Sequence, residues 1–182
     1  MKRNRNLASG TLNLILLLGS LCAGVCAESL NPTSAREQYL LAREYENGIR
    51  GAENPKQAAA LYRQAAEQGY APAQYSLGRL YAAGSGVGQD YAEAARWFQK
   101  AAAQNYALAQ NRLGVMHEKG QGVPKDQLEA YKWYFLASRQ NENVFAVANC
   151  ELLSRHLTAD QIAEGQHRAS ATPEFAAADP KK

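Results

Sequence analysis

A 36-residue unit is written twice between Ala71 and Glu142, and this internal repeat restricts the chain to a narrow set of folds. A shift of 36 positions places Gln74 on Gln110, Leu77-Gly78 on Leu113-Gly114, Gly84 on Gly120 and Gly86-Val87 on Gly122-Val123. The same shift places Asp90 on Asp126, Glu93-Ala94 on Glu129-Ala130, Trp97 on Trp133 and Gln104-Asn105 on Gln140-Asn141. Identical residues fill 15 of the 36 positions, all in one register. A more divergent copy fills 35–70. Self-similarity at a period of this size marks a stack of supersecondary units, because one unit alone cannot bury its apolar face.

Each unit reads as two helices. Ala73, Leu77, Gly78 and Tyr81 follow a three-to-four spacing and make one packing stripe. Gly84 ends that helix, since glycine tolerates the left-handed backbone of a helix terminus. Asp90 is an N-cap with Glu93 three residues on, a pattern that satisfies orphan backbone donors reciprocally, and Asp126 with Glu129 repeats it. In the first copy the pair is Asn54 and Gln57, with Pro55 at the favoured first helical position. The second helix packs through Ala94, Trp97, Phe98 and Ala101. Tyr62, Trp133 and Tyr134 join those aromatic residues between layers.

The run A-x-x-x-L-G-x-x-Y-x-x-G-x-G-V-x-x-D-x-x-x-A-x-x-W-[FY]-x-x-A-A from Ala73 to Ala102, echoed from Ala109 to Ser138, resembles the Sel1-like repeat family, a relative of the tetratricopeptide repeat. The resemblance implies an all-α, right-handed α-solenoid that mediates protein–protein contacts without a catalytic site. Repeats are expected at 35–70, 71–106 and 107–142. In the first copy Arg50 and Gly51 stand where the others have Gly86-Val87 and Gly122-Val123, so its turn departs from the family pattern.

The N-terminus reads as an export signal. Lys2, Arg3 and Arg5 precede an apolar run from Leu12 to Leu21, and Val25-Cys26-Ala27 is a small-x-small cleavage site. Cleavage is expected after Ala27, followed by a linker over 28–34 and residence in a bacterial periplasm. The apolar run is short of the ~20 residues a membrane span needs. An uncleaved anchor is the alternative. Lipid attachment at Cys22 or Cys26 fits poorly, because Leu21 and Val25 precede them. The formal charge of +3 comes from those three N-terminal cations, so composition gives no basic face for nucleic acid. Cleavage leaves Cys150 as the only cysteine, which excludes an internal disulfide.

No nucleophile or metal motif is present. S-x-x-K, K-T-G and G-x-S-x-G are missing, which weighs against an acylase or β-lactamase. His117-Glu118 is not followed by the second histidine of H-E-x-x-H. His117 holds the place of Tyr81 and Tyr45 and is expected to pack. No metal and no cofactor is expected. Val144 to His156 reads as a fourth first helix, with Phe145, Ala148, Leu152 and Leu153 on its packing side. Thr158 with Gln161 starts a last helix, and these two helices over 143–169 should cap the stack, with a tail over 170–182.

A binding surface remains. In tetratricopeptide-like solenoids the first helices line the concave face. The repeat register places Arg36, Tyr39, Arg43, Tyr75, Arg79, Asn111, Val115 and Glu118 there. Tyr39 and Tyr75 would form one column and Arg43 and Arg79 another, a groove for a peptide whose carboxylates the arginines grip. Packing of the tyrosines between repeats is the competing interpretation. The function expected is a non-enzymatic scaffold for a protein or peptide segment. A cell-wall hydrolase and a purely structural assembly subunit are the alternatives.

Overall fold

The computed structural model describes residues 34–49, 51–140 and 143–173. The expected signal peptide, residues 28–33 of the linker, Arg50 and residues 174–182 of the tail lie outside the described residues. Among the described residues there are eight helices and no strand. In chain order they are α1 (Ala35–Glu46), α2 (Pro55–Glu67), α3 (Ala71–Ala83), α4 (Tyr91–Ala102), α5 (Ala107–Lys119), α6 (Gln127–Ser138), α7 (Val144–Ser154) and α8 (Ala159–Ser170). Helices α1–α2, α3–α4 and α5–α6 form three antiparallel pairs, and each pair stacks on the next through α2–α3 and α4–α5. The architecture is the all-α solenoid implied by the repeat.

Local chemistry sets the helix ends. Asn54, Asp90, Asp126 and Asn143 each accept a backbone N–H of the first turn. The reciprocal arm expected of Glu93 and Glu129 is replaced by ion pairs to Arg96 and Lys132, three residues on. Two complete capping boxes do form, at Thr158–Gln161 as expected and at Ser34–Glu37, where Ser34 is the N-cap of α1. Gly84 and Gly120 end α3 and α5 in the left-handed conformation, with φ of 71° and 69°.

Small residues let the two helices of a pair touch. A Cβ on Gly78 would lie 2.8 Å from the Phe98 ring, and one on Gly114 would lie 2.5 Å from Tyr134. Ala42 takes the same place in the first pair and is fully buried opposite Tyr62. Phe98, Leu77, Leu113 and Tyr134 fill the interior around these contacts. Trp97 is buried as expected, whereas Trp133 is only half-buried, with the Lys132 ammonium 4.2 Å from its ring centroid.

Successive pairs meet at both ends of the second helix. At its start, the turn of the following unit presses backbone against backbone. A Cβ on Gly86 would stand 2.1 Å from the Pro55 carbonyl oxygen, and one on Gly122 would stand 2.3 Å from that of Tyr91. At its finish, buried glutamines make the joint. The Gln74 side-chain amide donates to the Ala66 carbonyl at 3.1 Å, and Gln110 donates to Ala102 at 3.4 Å. Each of these glutamines also accepts from the end of its own unit, Gln104 to Gln74 at 2.8 Å and Gln140 to Gln110 at 2.9 Å. Gln68 to Gln38, at 2.8 Å, is the same bond in the first unit. A buried polar group left unmatched costs about 1–3 kcal/mol, so the ladder favours one register of stacking.

The last two helices depart from the expectation. Both α7 and α8 pack on α6 and barely touch each other. The packing side expected of α7 was Phe145, Ala148, Leu152 and Leu153. Only Leu153 of that set is buried, while Phe145 is 76% exposed and Leu152 55%. The reason is a slip of one residue. The N-caps Tyr70 and Tyr106 stand 36 apart, but Asn143 comes 37 after Tyr106. Ala146 and Leu153 therefore take the buried places of Ala109 and Met116. Helix α8 lies along α6, where Gly165 receives the Tyr131 ring, and it extends through Ser170, the first residue assigned to the tail.

The backbone contact at Gly86 yields a direct test. Gly86→Ala should destabilise the protein by about 2 kcal/mol or more, since neither φ of 71° nor the Pro55 carbonyl tolerates a methyl group. Gly88→Ala, two residues away and with nothing within 4 Å, should stay within about 0.5 kcal/mol in the same urea titration.

Candidate partner-binding face

The residues singled out from the repeat register divide into those that pack and those that line open space. Tyr39 and Tyr75 are half-buried, as the competing interpretation of the tyrosine column holds, but they are not alone. The Tyr39 ring lies 5.7 Å from Tyr62 and 5.3 Å, edge-on, from Tyr70. Tyr75 lies 5.7 Å from Phe98 and 5.5 Å from Tyr106. Burial and the neighbouring phenols of Tyr39, Tyr75 and Tyr70 push the Tyr106 hydroxyl above its ordinary pKa. Four half-buried tyrosines thus gather on one edge of the stack. Tyr70 and Tyr106 were missed from sequence because they are N-caps without a capping side chain; their 36-residue spacing was the available signal.

The arginine column does not stand free. Arg79 reaches across the first interface to Glu46 at 2.5 Å, and the Arg43 guanidinium lies 6.0 Å from the Tyr39 ring centroid. Glu118 accepts the Tyr134 hydroxyl at 2.7 Å, as Glu46 accepts that of Tyr62 at 2.7 Å. Asn111 accepts from Asn149 at 3.0 Å, which ties α5 to α7. Arg36 is exposed on α1, three residues before Tyr39 and seven before Arg43 on the same helix face.

The second interface differs from the first at the matching positions. Adding 36 to Glu46 and Arg79 gives Ala82 and Val115. Adding 36 to Tyr62 gives Phe98, so the acid, its phenol and its arginine all vanish together. A cleft of about 230 Å3 lies at this place, with Ala82, Phe98, Val115 and Met116 among its walls. Arg79 and Arg112 stand at its rim with Tyr91 and Gln121. The chemistry offered is an apolar recess beside the Arg112 guanidinium, with Arg79 turned to Glu46, a fit for an apolar side chain next to a carboxylate.

Nothing at this cleft resembles a reaction centre. His117, which lies outside it, bonds through Nδ1 with the Pro124 carbonyl at 3.2 Å and pins the turn before α6. Among the described residues no three His, Cys, Asp or Glu side chains converge as metal ligands would. Cys150 is half-buried beside Tyr131, and burial raises its thiol pKa, which disfavours the reactive thiolate. Among the described residues no helix is long and apolar enough to cross a membrane.

The buried Tyr62 and Tyr134 hydroxyls make stability sensitive to alkali. Burial first, and then the hydrogen bond to Glu46 or Glu118, raises each phenol far above its ordinary 10.0. Above pH ~10 the unfolded chain loses these protons while the folded one keeps them, so stability falls as pH rises. A pH titration followed at 295 nm should show two phenols ionising only together with the loss of helical circular dichroism. Free ionisation of every tyrosine with the helix signal intact would contradict it.

The comparisons with known proteins agree with the geometry. The Sel1 repeat family model matches residues 38–70, 71–106 and 107–142, more than half of the chain. The crystal structure of a Sel1 repeat protein from Oxalobacter formigenes superimposes with a TM-score of 0.64 at 32% identity, covering 79% of this chain and 60% of that one. A second is c5321, a protective antigen of uropathogenic Escherichia coli strains described as displaying an SLR fold. Its TM-score is 0.55 at 28% identity, over 79% of this chain and 40% of that one. The chain thus spans less than two thirds of the length of either structure. No curated protein matches the sequence. Proteins of this kind are generally protein-interaction scaffolds. Three stacked helix pairs, their turn glycines and the family match together make this chain a member of the Sel1 repeat family.

Proposed function

We propose that the protein is a non-enzymatic scaffold, exported to the periplasm after cleavage behind Ala27, that binds an extended segment of a partner protein on its concave, first-helix face. The observation that carries this reading is the cleft between α3 and α5, which exists because Ala82 and Val115 replace the ion pair of the preceding interface. The partner segment places an apolar side chain among Phe98, Val115 and Met116. Arg112 engages a carboxylate of the segment, the acidic side chain or chain terminus that guanidinium geometry favours. Tyr75, one helical turn before Arg79 on α3, offers rigid contact area for the residues that follow. The +3 formal charge, carried by the leader, leaves the mature chain formally neutral, so attraction is local to this rim.

Site-specific photo-crosslinking in the producing cell tests the proposal. A photoreactive residue at Gln121, on the cleft rim, should yield a discrete adduct from a mature chain that begins at Glu28. The same residue at Gln99, exposed on α4, should yield none. Arg112→Glu should lower the Gln121 adduct by about tenfold, the equivalent of ~1.4 kcal/mol, without changing the melting temperature. Equal adducts at both positions, or a yield indifferent to Arg112→Glu, would remove the cleft from the binding surface.

A further inference from the structure

Four tyrosines make the same local arrangement twice. Tyr39 on α1 and Tyr70 at the cap of α3 have ring centroids 5.3 Å apart and planes at 70°. At the matching positions of the next unit, Tyr75 on α3 and Tyr106 at the cap of α5 stand 5.5 Å apart at 56°. Each ring is half-buried, and two rings set at such angles leave a notch between them. One notch lies where the first pair meets the second, the other where the second meets the third. The place after that is closed by amides: Asn111 accepts from Asn149, and Asn143 at the cap of α7 donates to the Ala107 carbonyl at 3.2 Å. The two notches form a short row across the first helices.

This row carries unused donors. Among the described residues no group hydrogen-bonds any of the four hydroxyls, and none of the four is buried. The interior phenols Tyr62 and Tyr134, by contrast, each donate to a glutamate. Burial and the neighbouring phenols hold the Tyr106 proton more firmly than usual, so that hydroxyl remains a donor.

Apolar notches beside O–H donors suit a chain with stiff apolar side chains and bare carbonyls. A polyproline II helix has three residues per turn, a rise of about 3.1 Å per residue and no internal hydrogen bonds. Residues i and i+3 therefore point the same way, about 9 Å apart. Packed helices stand about 8–10 Å apart, which sets a similar separation for the notches. Because the ligand helix is preformed, docking removes little conformational freedom. A sugar ring would need a flat open face, whereas these rings lean on one another and on Tyr62 and Phe98.

We infer that the tyrosine row docks a proline-rich partner segment in the polyproline II conformation, with residues i and i+3 seated in the two notches and the phenol hydroxyls donating to its carbonyls. This rests on the scaffold reading above and names the chemistry of the segment where it crosses α1 and α3.

Fluorescence anisotropy with labelled decaproline and the mature chain tests it. Decaproline should bind saturably, and a glycine–serine decapeptide should not. Tyr75→Phe/Tyr106→Phe should weaken binding about tenfold, the loss of two hydrogen bonds, at an unchanged melting temperature, because these hydroxyls hold nothing within the fold. Triproline fills only one notch and should bind about tenfold more weakly or worse. No binding of decaproline, equal binding of the glycine–serine peptide, an affinity indifferent to the two phenylalanines, or an N-acetylglucosamine hexamer bound in place of decaproline would each overturn the inference. The Gln121 crosslink is read separately: decaproline bound with the crosslink absent removes the cleft and keeps the row, and the crosslink present without decaproline binding removes the row and keeps the cleft.

Discussion

Each unit of this stack grips the second helix of the unit before it at both ends. A turn glycine lies on the backbone at the helix start, and a buried glutamine amide holds a carbonyl at its finish. The first contact sets distance, since no side chain fits between Gly86 and Pro55 or between Gly122 and Tyr91. The second sets register, since a shifted unit would leave a buried amide unmatched. Asn105 reinforces it from a left-handed backbone position, φ 60°, where its side-chain oxygen accepts from both Gln110 and Gln140. With spacing and register fixed in this way, the side chains between units can vary without moving the backbone.

The cleft is a product of that freedom. At the first interface the space between α1 and α3 is closed by Glu46, held by Tyr62 and Arg79. At the second, three substitutions in concert leave an apolar recess. Removing Glu46 alone would strand the Tyr62 hydroxyl, buried at 0% exposure, and removing Tyr62 alone would leave an acid against apolar neighbours. Phe98, Ala82 and Val115 avoid both costs together. The repeated frame is thus kept while one interface carries an apolar recess, a division between a constant scaffold and a changed position.

Much of the frame was legible in the sequence because it recurs. The 36-residue period gave the helix pairs, Gly84 and Gly120 gave the helix ends, and the small residues facing Phe98 and Tyr134 could be read as close contacts. The glutamines were visible as identities, but their role depends on burial, which a pattern of polar residues does not reveal. The groove columns were legible only in part. A register says which residues share a face; it does not say that Arg79 would spend its charge on Glu46, or that Tyr70 and Tyr106 would join Tyr39 and Tyr75. The signal in the candidate cleft lay in the differences between copies. The end of the stack was misjudged because one extra residue before Asn143 turns α7 by about 100°, a rotation that the 3.6-residue period makes decisive.

The central claim is that Ala82, Phe98 and Val115 open a site which the first interface keeps shut. The variant Ala82→Glu/Phe98→Tyr/Val115→Arg writes the first interface into the second. Its melting temperature and its photo-crosslinking from the Gln121 position, set beside the wild type, measure the claim most directly. The account predicts a fully folded protein, equal or higher in melting temperature, that no longer forms the adduct. An adduct formed as readily with the cleft filled, or a variant that cannot fold with the ion pair in place, would contradict it.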